Sequence, residues 1–79
     1  MNQTVVVYSN RNQECERITG LLKAHTTTVL EYFVGEDFSA QDFVDEFGTE
    51  AEYPQVAIAS RHIGGMKDVL NYLNEHNLL

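Results

Sequence analysis

The chain has 79 residues, a single cysteine, and five Lys and Arg against twelve Asp and Glu, a formal net charge of −7. That length predicts one domain, 1–79, with a small core, and one cysteine excludes both an internal disulfide and a cysteine-rich metal site, so packing must hold the fold. The acidic balance argues against non-specific nucleic-acid binding and against an anionic membrane surface, which both require cations. No apolar run approaches the roughly 20 residues of a membrane span, residues 1–4 lack the basic start of a signal peptide, and a lone cysteine fits a reducing cytoplasm.

Residues 4–8, Thr-Val-Val-Val-Tyr, are β-branched and aromatic and apolar on both faces, which predicts a central strand. Residues 9–12 are polar and turn-like. Cys15, Ile18, Leu21, Leu22 and His25 then recur at three and four residues, the period of a helix whose N-cap is Asn12 or a neighbour. Gly20 costs about 1 kcal/mol inside such a helix and is expected to allow close packing on the sheet. Residues 26–34 read as a second strand, broken by Gly35, Glu36 and Asp37. Ser39 is placed to cap a short helix with Ala40, Phe43, Val44 and Phe47 on one face, and Gly48 to end it. Residues 49–53 read as a loop, 55–59 as a third strand and 61–63 as a short fourth. Gly64-Gly65 makes a sharp break before an amphipathic helix carrying Met66, Val69, Leu70 and Leu73. The order β-α-β-α-β-β-α joins a parallel, right-handed βαβ unit to a hairpin and a helix. The expected class is α/β, with a four-stranded mixed sheet flanked by helices.

Two stretches carry a family likeness. Tyr53-Pro54-Gln55-Val56-Ala57-Ile58, followed by His62-Ile63-Gly64-Gly65 and then Asp68, resembles the Val-Pro-Gln-Val-Phe-Ile, His-Ile-Gly-Gly and acidic helix start of glutaredoxins. Val5-Val6-Val7-Tyr8-Ser9, followed by a helix of the form Cys-x-x-x-x-x-Leu-Leu, resembles their first strand and active-site helix. The resemblance implies a thioredoxin-like fold and thiol–disulfide chemistry with glutathione. Glutaredoxins place Cys-x-x-Cys or Cys-x-x-Ser at the start of the first helix, where this chain has Asn12-Gln13-Glu14-Cys15. Aligned through Leu21 and Leu22, Asn12 takes the nucleophile position and Cys15 the second, resolving one. Aligned through Tyr8, the nucleophile position falls on Gln13. The helix register is preferred, because loops absorb length changes more easily than helices.

A thiolate attacks a disulfide and an amide does not. Asn12 can instead cap the helix through its side-chain oxygen, where the family's thiolate accepts backbone N–H groups. Cys15 lies within the first turn and feels the helix dipole; Arg17 favours a thiolate there, while Glu14 and Glu16 oppose one. Cys15 is either a half-buried structural thiol or a reactive monothiol. The resemblance implies a cis bond before Pro54, with the Tyr53 N–H and C=O paired to the cysteinyl part of glutathione; a proline that merely opens a strand is the plainer alternative. It also implies that the γ-glutamyl end lies at Gly65, Met66, Lys67 and Asp68, with Lys67 toward its carboxylate and Asp68 toward its amino group. Free N–H groups at a helix start suit such a carboxylate, although a tight turn at Gly64-Gly65 and a favourable early-helix acid at Asp68 would explain the same residues. Arg11 stands nearest to the lysine that family members carry before the active site. Arg11, Arg17 and Lys67 are expected at the site end of the sheet, Lys23 and Arg61 at the other.

No histidine spacing suggests a metal. In family members that bind iron–sulfur clusters the first cysteine is a ligand, and that cysteine is missing here. Tyr32, Phe33, Phe38, Phe43 and Phe47 read as core or its rim. Two functions therefore compete, and the first is the reading adopted from the sequence, the second its alternative. One is a glutathione-dependent oxidoreductase for small or protein disulfides, with Cys15 as its only thiol. The other is a pseudo-glutaredoxin that binds glutathione or a partner without turnover.

Overall fold

In the computed structural model, which describes residues 3–26 and 28–76, strands β1 (Val5–Ser9), β2 (Val29–Phe33), β3 (Gln55–Ile58) and β4 (Arg61–Gly64) form one sheet in the order β2-β1-β3-β4. β1 runs parallel to β2 and antiparallel to β3, and β3 runs antiparallel to β4. Helices α1 (Gln13–His25), α2 (Ala40–Phe47) and α3 (Met66–Glu75) complete the expected order. Thr27, within the expected second strand, and residues 1, 2 and 77–79 of the expected domain lie outside the described residues. The second strand is shorter than expected at both ends. Thr26 is the C-cap of α1, its N–H donating to Leu22 O at 2.9 Å, and Val34, whose N–H still donates to Ser9 O at 3.0 Å, lies beyond β2 in an isolated bridge to Phe38.

Strand alternation divides the sheet into two unlike faces. Val5, Val7, Val56 and Ile58 point to one face, where Ile18 and Leu22 of α1 and Val69 and Leu73 of α3 close over them. All eight side chains are essentially excluded from solvent. Burial of each stabilises the fold by about 1.5–3 kcal/mol before the entropy of ordering is counted. On the other face Tyr8 meets the aromatic residues around α2, with ring centroids 5.2 Å from Phe47 and 5.6 Å from Phe38. Leu30 and Tyr32, on the edge strand β2, stay exposed on that face.

The caps follow their residue types. Ser39 Oγ accepts from the Asp42 N–H at 3.0 Å while Asp42 Oδ2 accepts from the Ser39 N–H at 3.1 Å, a full capping box. Gly48 ends α2 at φ +96°, a conformation that glycine adopts without a Cβ penalty. The β3–β4 turn is less conventional: Ala59 and Ser60 both take positive φ, 53° and 65°, in a hairpin position that favours Asn and Gly.

Gly20 corrects one expectation. It lies on the exposed side of α1, and a Cβ built there would meet no atom within 4 Å. Its flexibility therefore only weakens the helix. Gly20→Ala is expected to stabilise the domain by about 0.4–1 kcal/mol, and Leu22→Ala to destabilise it by about 2–5 kcal/mol. Urea denaturation of both variants checks this; a destabilising Gly20→Ala would mean that the helix face is packed after all.

Candidate functional site

At the C-terminal end of β1 the chain turns through three residues, Asn10, Arg11 and Asn12, into α1. Arg11 N–H donates to Ser9 Oγ at 2.9 Å and Asn12 N–H to Asn10 Oδ1 at 3.1 Å, so side chains of the turn satisfy its own backbone. Asn12 is the N-cap of α1: its Oδ1 accepts from the Cys15 N–H at 2.8 Å. Its Nδ2 donates across to the carbonyl of Tyr53 at 3.4 Å. One amide thus links the start of the first helix to the loop before β3.

Cys15 lies behind this cap. Its side chain is 1% exposed, and Sγ is 3.6 Å from Asn10 Oδ1. A free thiol is present, but it does not form a wall of the cleft in front of it.

That cleft consists of two hollows that share Glu14, Glu52 and Tyr53. The first, of about 500 Å³, lies against Asn10, Asn12 and Gln13. The second, of about 380 Å³, runs past Pro54 to Gly65, Met66, Lys67 and Asp68 at the start of α3. The Tyr53–Pro54 peptide bond is cis. Among the described residues no hydrogen bond uses the Tyr53 N–H. The structure therefore brings Asn12, Tyr53, Pro54, Gly65, Met66, Lys67 and Asp68 to one cleft.

Arg11, like Cys15, is not brought to its walls. Arg11 adopts φ +66°, and its guanidinium lies 3.9 Å from the centre of the Phe33 ring and pairs with the Glu36 carboxylate. The aromatic face and the carboxylate on the β2 side hold the cation away from Tyr53. Lys67 is the only Lys or Arg among the residues lining the two hollows. The expected gathering of Arg11, Arg17 and Lys67 around the cleft is not what its walls contain.

At α3, Asp68 Oδ2 accepts from the Gly65 N–H at 3.3 Å, the half of a capping box that needs no side chain at the N-cap. Gly64 takes φ +132°, and a Cβ there would stand 2.8 Å from the Asp68 carboxyl carbon. Both the conformation and the close approach require glycine at that position. Met66 lines the cleft and also packs against the hydrophobic core.

Two supports of the loop lie outside the expected set. Gln55 is buried; its Nε2 donates to Glu52 O at 2.8 Å, and its Oε1 accepts from His62 Nε2 at 2.8 Å. A polar residue directly after the proline, in an otherwise apolar strand, is the signal that marks it. The Tyr53 ring stacks on Phe43 with centroids 4.1 Å apart, which anchors the loop to α2. The phenol of Tyr53 is pushed above its ordinary value of 10.0, first by burial and then by the nearby Cys15 charge. A phenol held neutral adds stability that is present below pH 10 and is lost as pH rises through the shifted value.

Asn12→Ala is expected to cost about 0.5–2 kcal/mol in urea melts through loss of the cap. In an ultraviolet titration of the tyrosines, Tyr53→Phe should remove a late-titrating phenol. Cys15→Ser should move that phenol part of the way back toward 10.0, because burial remains. An unchanged profile in Cys15→Ser would place the thiol too far from the ring to act on it.

No protein-family model matches the sequence, and no curated protein matches it. Among the described residues no three His, Cys, Asp or Glu side chains are grouped to hold a metal, and no helix is long and apolar enough to cross a membrane. Solved structures do match. The dithiolic glutaredoxin 2-C-Grx1 from Trypanosoma brucei brucei is 25% identical, with a TM-score of 0.71 over 98% of this chain and 82% of that one. The holo form of glutaredoxin C1 from Populus tremula x tremuloides is 22% identical, with a TM-score of 0.70 over 94% of this chain and 76% of that one. With the element order and the mixed sheet, these likenesses give the chain the glutaredoxin form of the thioredoxin fold.

Proposed function

We propose that this domain is a binding module of glutaredoxin form, which holds the thiol of glutathione or of a partner protein in the cleft beside Pro54 and leaves Cys15 as a structural thiol. The observation that carries this reading is the position of Cys15. Its side chain is 1% exposed, and Asn12 occupies the cap in front of it. Attack on a disulfide needs a thiolate that can reach the sulfur in line, and exposure controls that reach. Asn12 has no sulfur with which to replace it.

Binding needs less than turnover. A cysteinyl ligand lying extended against Tyr53 would take the N–H that no described residue uses and share the carbonyl with Asn12. Carbonyl oxygens have two lone pairs, so the long contact from Asn12 leaves room for a second donor. Backbone N–H groups at the start of α3, with Lys67 beside them, suit a carboxylate of the ligand. The residues present thus fit a glutathione-type ligand at its backbone contacts. A reducing compartment such as the cytoplasm suits an unpaired thiol.

A glutathione-dependent oxidoreductase acting through Cys15 is the second reading. It is favoured by the contact of Sγ with Asn10, a residue of the exposed turn, since movement of that turn would uncover the thiol. Incubation with oxidised glutathione, read by intact mass, separates the two. Native protein is expected to form no adduct, and Cys15→Ser to bind reduced glutathione as native protein does. Asn12→Cys, which puts a thiol at the exposed cap, is expected to gain an adduct as its thiolate attacks oxidised glutathione and releases one reduced molecule. Cys15-dependent reduction of a small mixed disulfide by the native protein would overturn the binding reading in favour of the enzyme.

A further inference from the structure

The walls of the cleft carry an unexpected charge. Glu14, Glu50, Glu52 and Asp68 line the two hollows, against one cation, Lys67. Glu14 and Glu52 belong to both hollows and so stand where the hollows join. The ion pairs among the described residues are Arg11 with Glu36 and Lys23 with Glu31, and neither involves a wall of the cleft. Asp68 is partly used by the Gly65 N–H, while the carboxylates of Glu14, Glu50 and Glu52 have no hydrogen-bond partner among the described residues. The whole chain adds the same sign, with a net charge of −7.

Glutathione has two carboxylates and one ammonium group and is therefore a net anion at neutral pH. A ligand crossing Tyr53 from one hollow to the other passes Glu14 and Glu52, where an anion is repelled and a cation attracted. Each exposed pairing is worth only about 0.2–1 kcal/mol, but several act on one short segment and in one direction, and the field of the chain steers the approach. From this charge complementarity we infer that the cleft selects a cysteine flanked by lysine or arginine in a segment of a partner protein, in preference to glutathione. This rests on the reading of the cleft as a thiol-ligand site. It concerns binding alone and involves no covalent step.

The test measures affinity for full-length native protein under reducing conditions, by calorimetry. Three probes are compared: an acetylated, amidated peptide with a central cysteine between lysine pairs, the same peptide with alanine for cysteine, and reduced glutathione. The lysine–cysteine peptide is expected to bind about ten-fold or more tightly than glutathione, the sum of a few such pairings. Glu50→Gln and Glu52→Gln, both at exposed loop positions, should each weaken it by about two- to five-fold. Raising the salt should weaken it further, and the alanine peptide should bind more weakly than the cysteine peptide. Glutathione binding as tightly as the basic peptide, or Gln variants without effect, would overturn the charge selection and leave the thiol-ligand site standing. An alanine peptide that binds equally well would reduce the effect to adhesion between charges and also overturn it. Failure of all three probes on folded protein would remove the site itself.

Discussion

The structure depends on β1. Among the described residues it is the only strand with a partner on each side in different directions, parallel to β2 and antiparallel to β3. Val5 and Val7 are fully buried under α1 and α3, while Tyr8 on the other face meets the rings around α2. The βαβ half and the hairpin half of the chain therefore share one strand and one core. Because a change of register by one residue would exchange the two faces, the pattern of this strand specifies the pairing on both sides. The same strand ends where the turn into α1 begins, so its register also places Asn12 against Tyr53.

The cleft is assembled from parts far apart in the chain, and each is held by different physics. α1 contributes a capped N-terminus, in which an amide satisfies the Cys15 N–H. The loop before β3 is held from within by the Gln55 bonds to Glu52 and His62, and from outside by the Tyr53–Phe43 stack. α3 contributes an N-terminus whose glycine pair lets the Asp68 carboxylate fold back on the turn. None of these supports uses a thiol. The cleft therefore keeps its form with an amide, rather than a thiol, at the start of α1.

The form of the cleft and its charge have different origins. Arg11 lies beside the cleft in sequence but is drawn to Phe33 and Glu36 by a favourable ring face and an opposite charge. What remains around Tyr53 is a set of carboxylates and Lys67. In the proposed reading, backbone pairing recognises a cysteinyl ligand with little regard for its charge and the carboxylates discriminate between ligands by sign, so that shape and selectivity are carried by different atoms.

Much of this was determined locally. The β-branched run of β1, the three-and-four spacing of α1, the Ser39 cap and the glycine that closes α2 are each set by neighbouring residues, and each was legible in order. The motifs at Tyr53-Pro54 and Gly64-Gly65 marked the cleft for the same reason, since a proline and a double glycine restrict their own backbone. Other features depended on residues distant in sequence. The burial of Cys15, the capture of Arg11 by Phe33 and Glu36, the solvent side of Gly20, and the meeting of Glu14 with Glu50 and Glu52 are all matters of tertiary placement. A spacing pattern shows which residues share a helix face, but it does not show which way an arginine turns or which carboxylates converge. The order of elements and the place of the cleft were legible along the chain, because those rest on local backbone preference. Only the folded chain decided the access to the thiol and the charge of the cleft, because both depend on what packs across it.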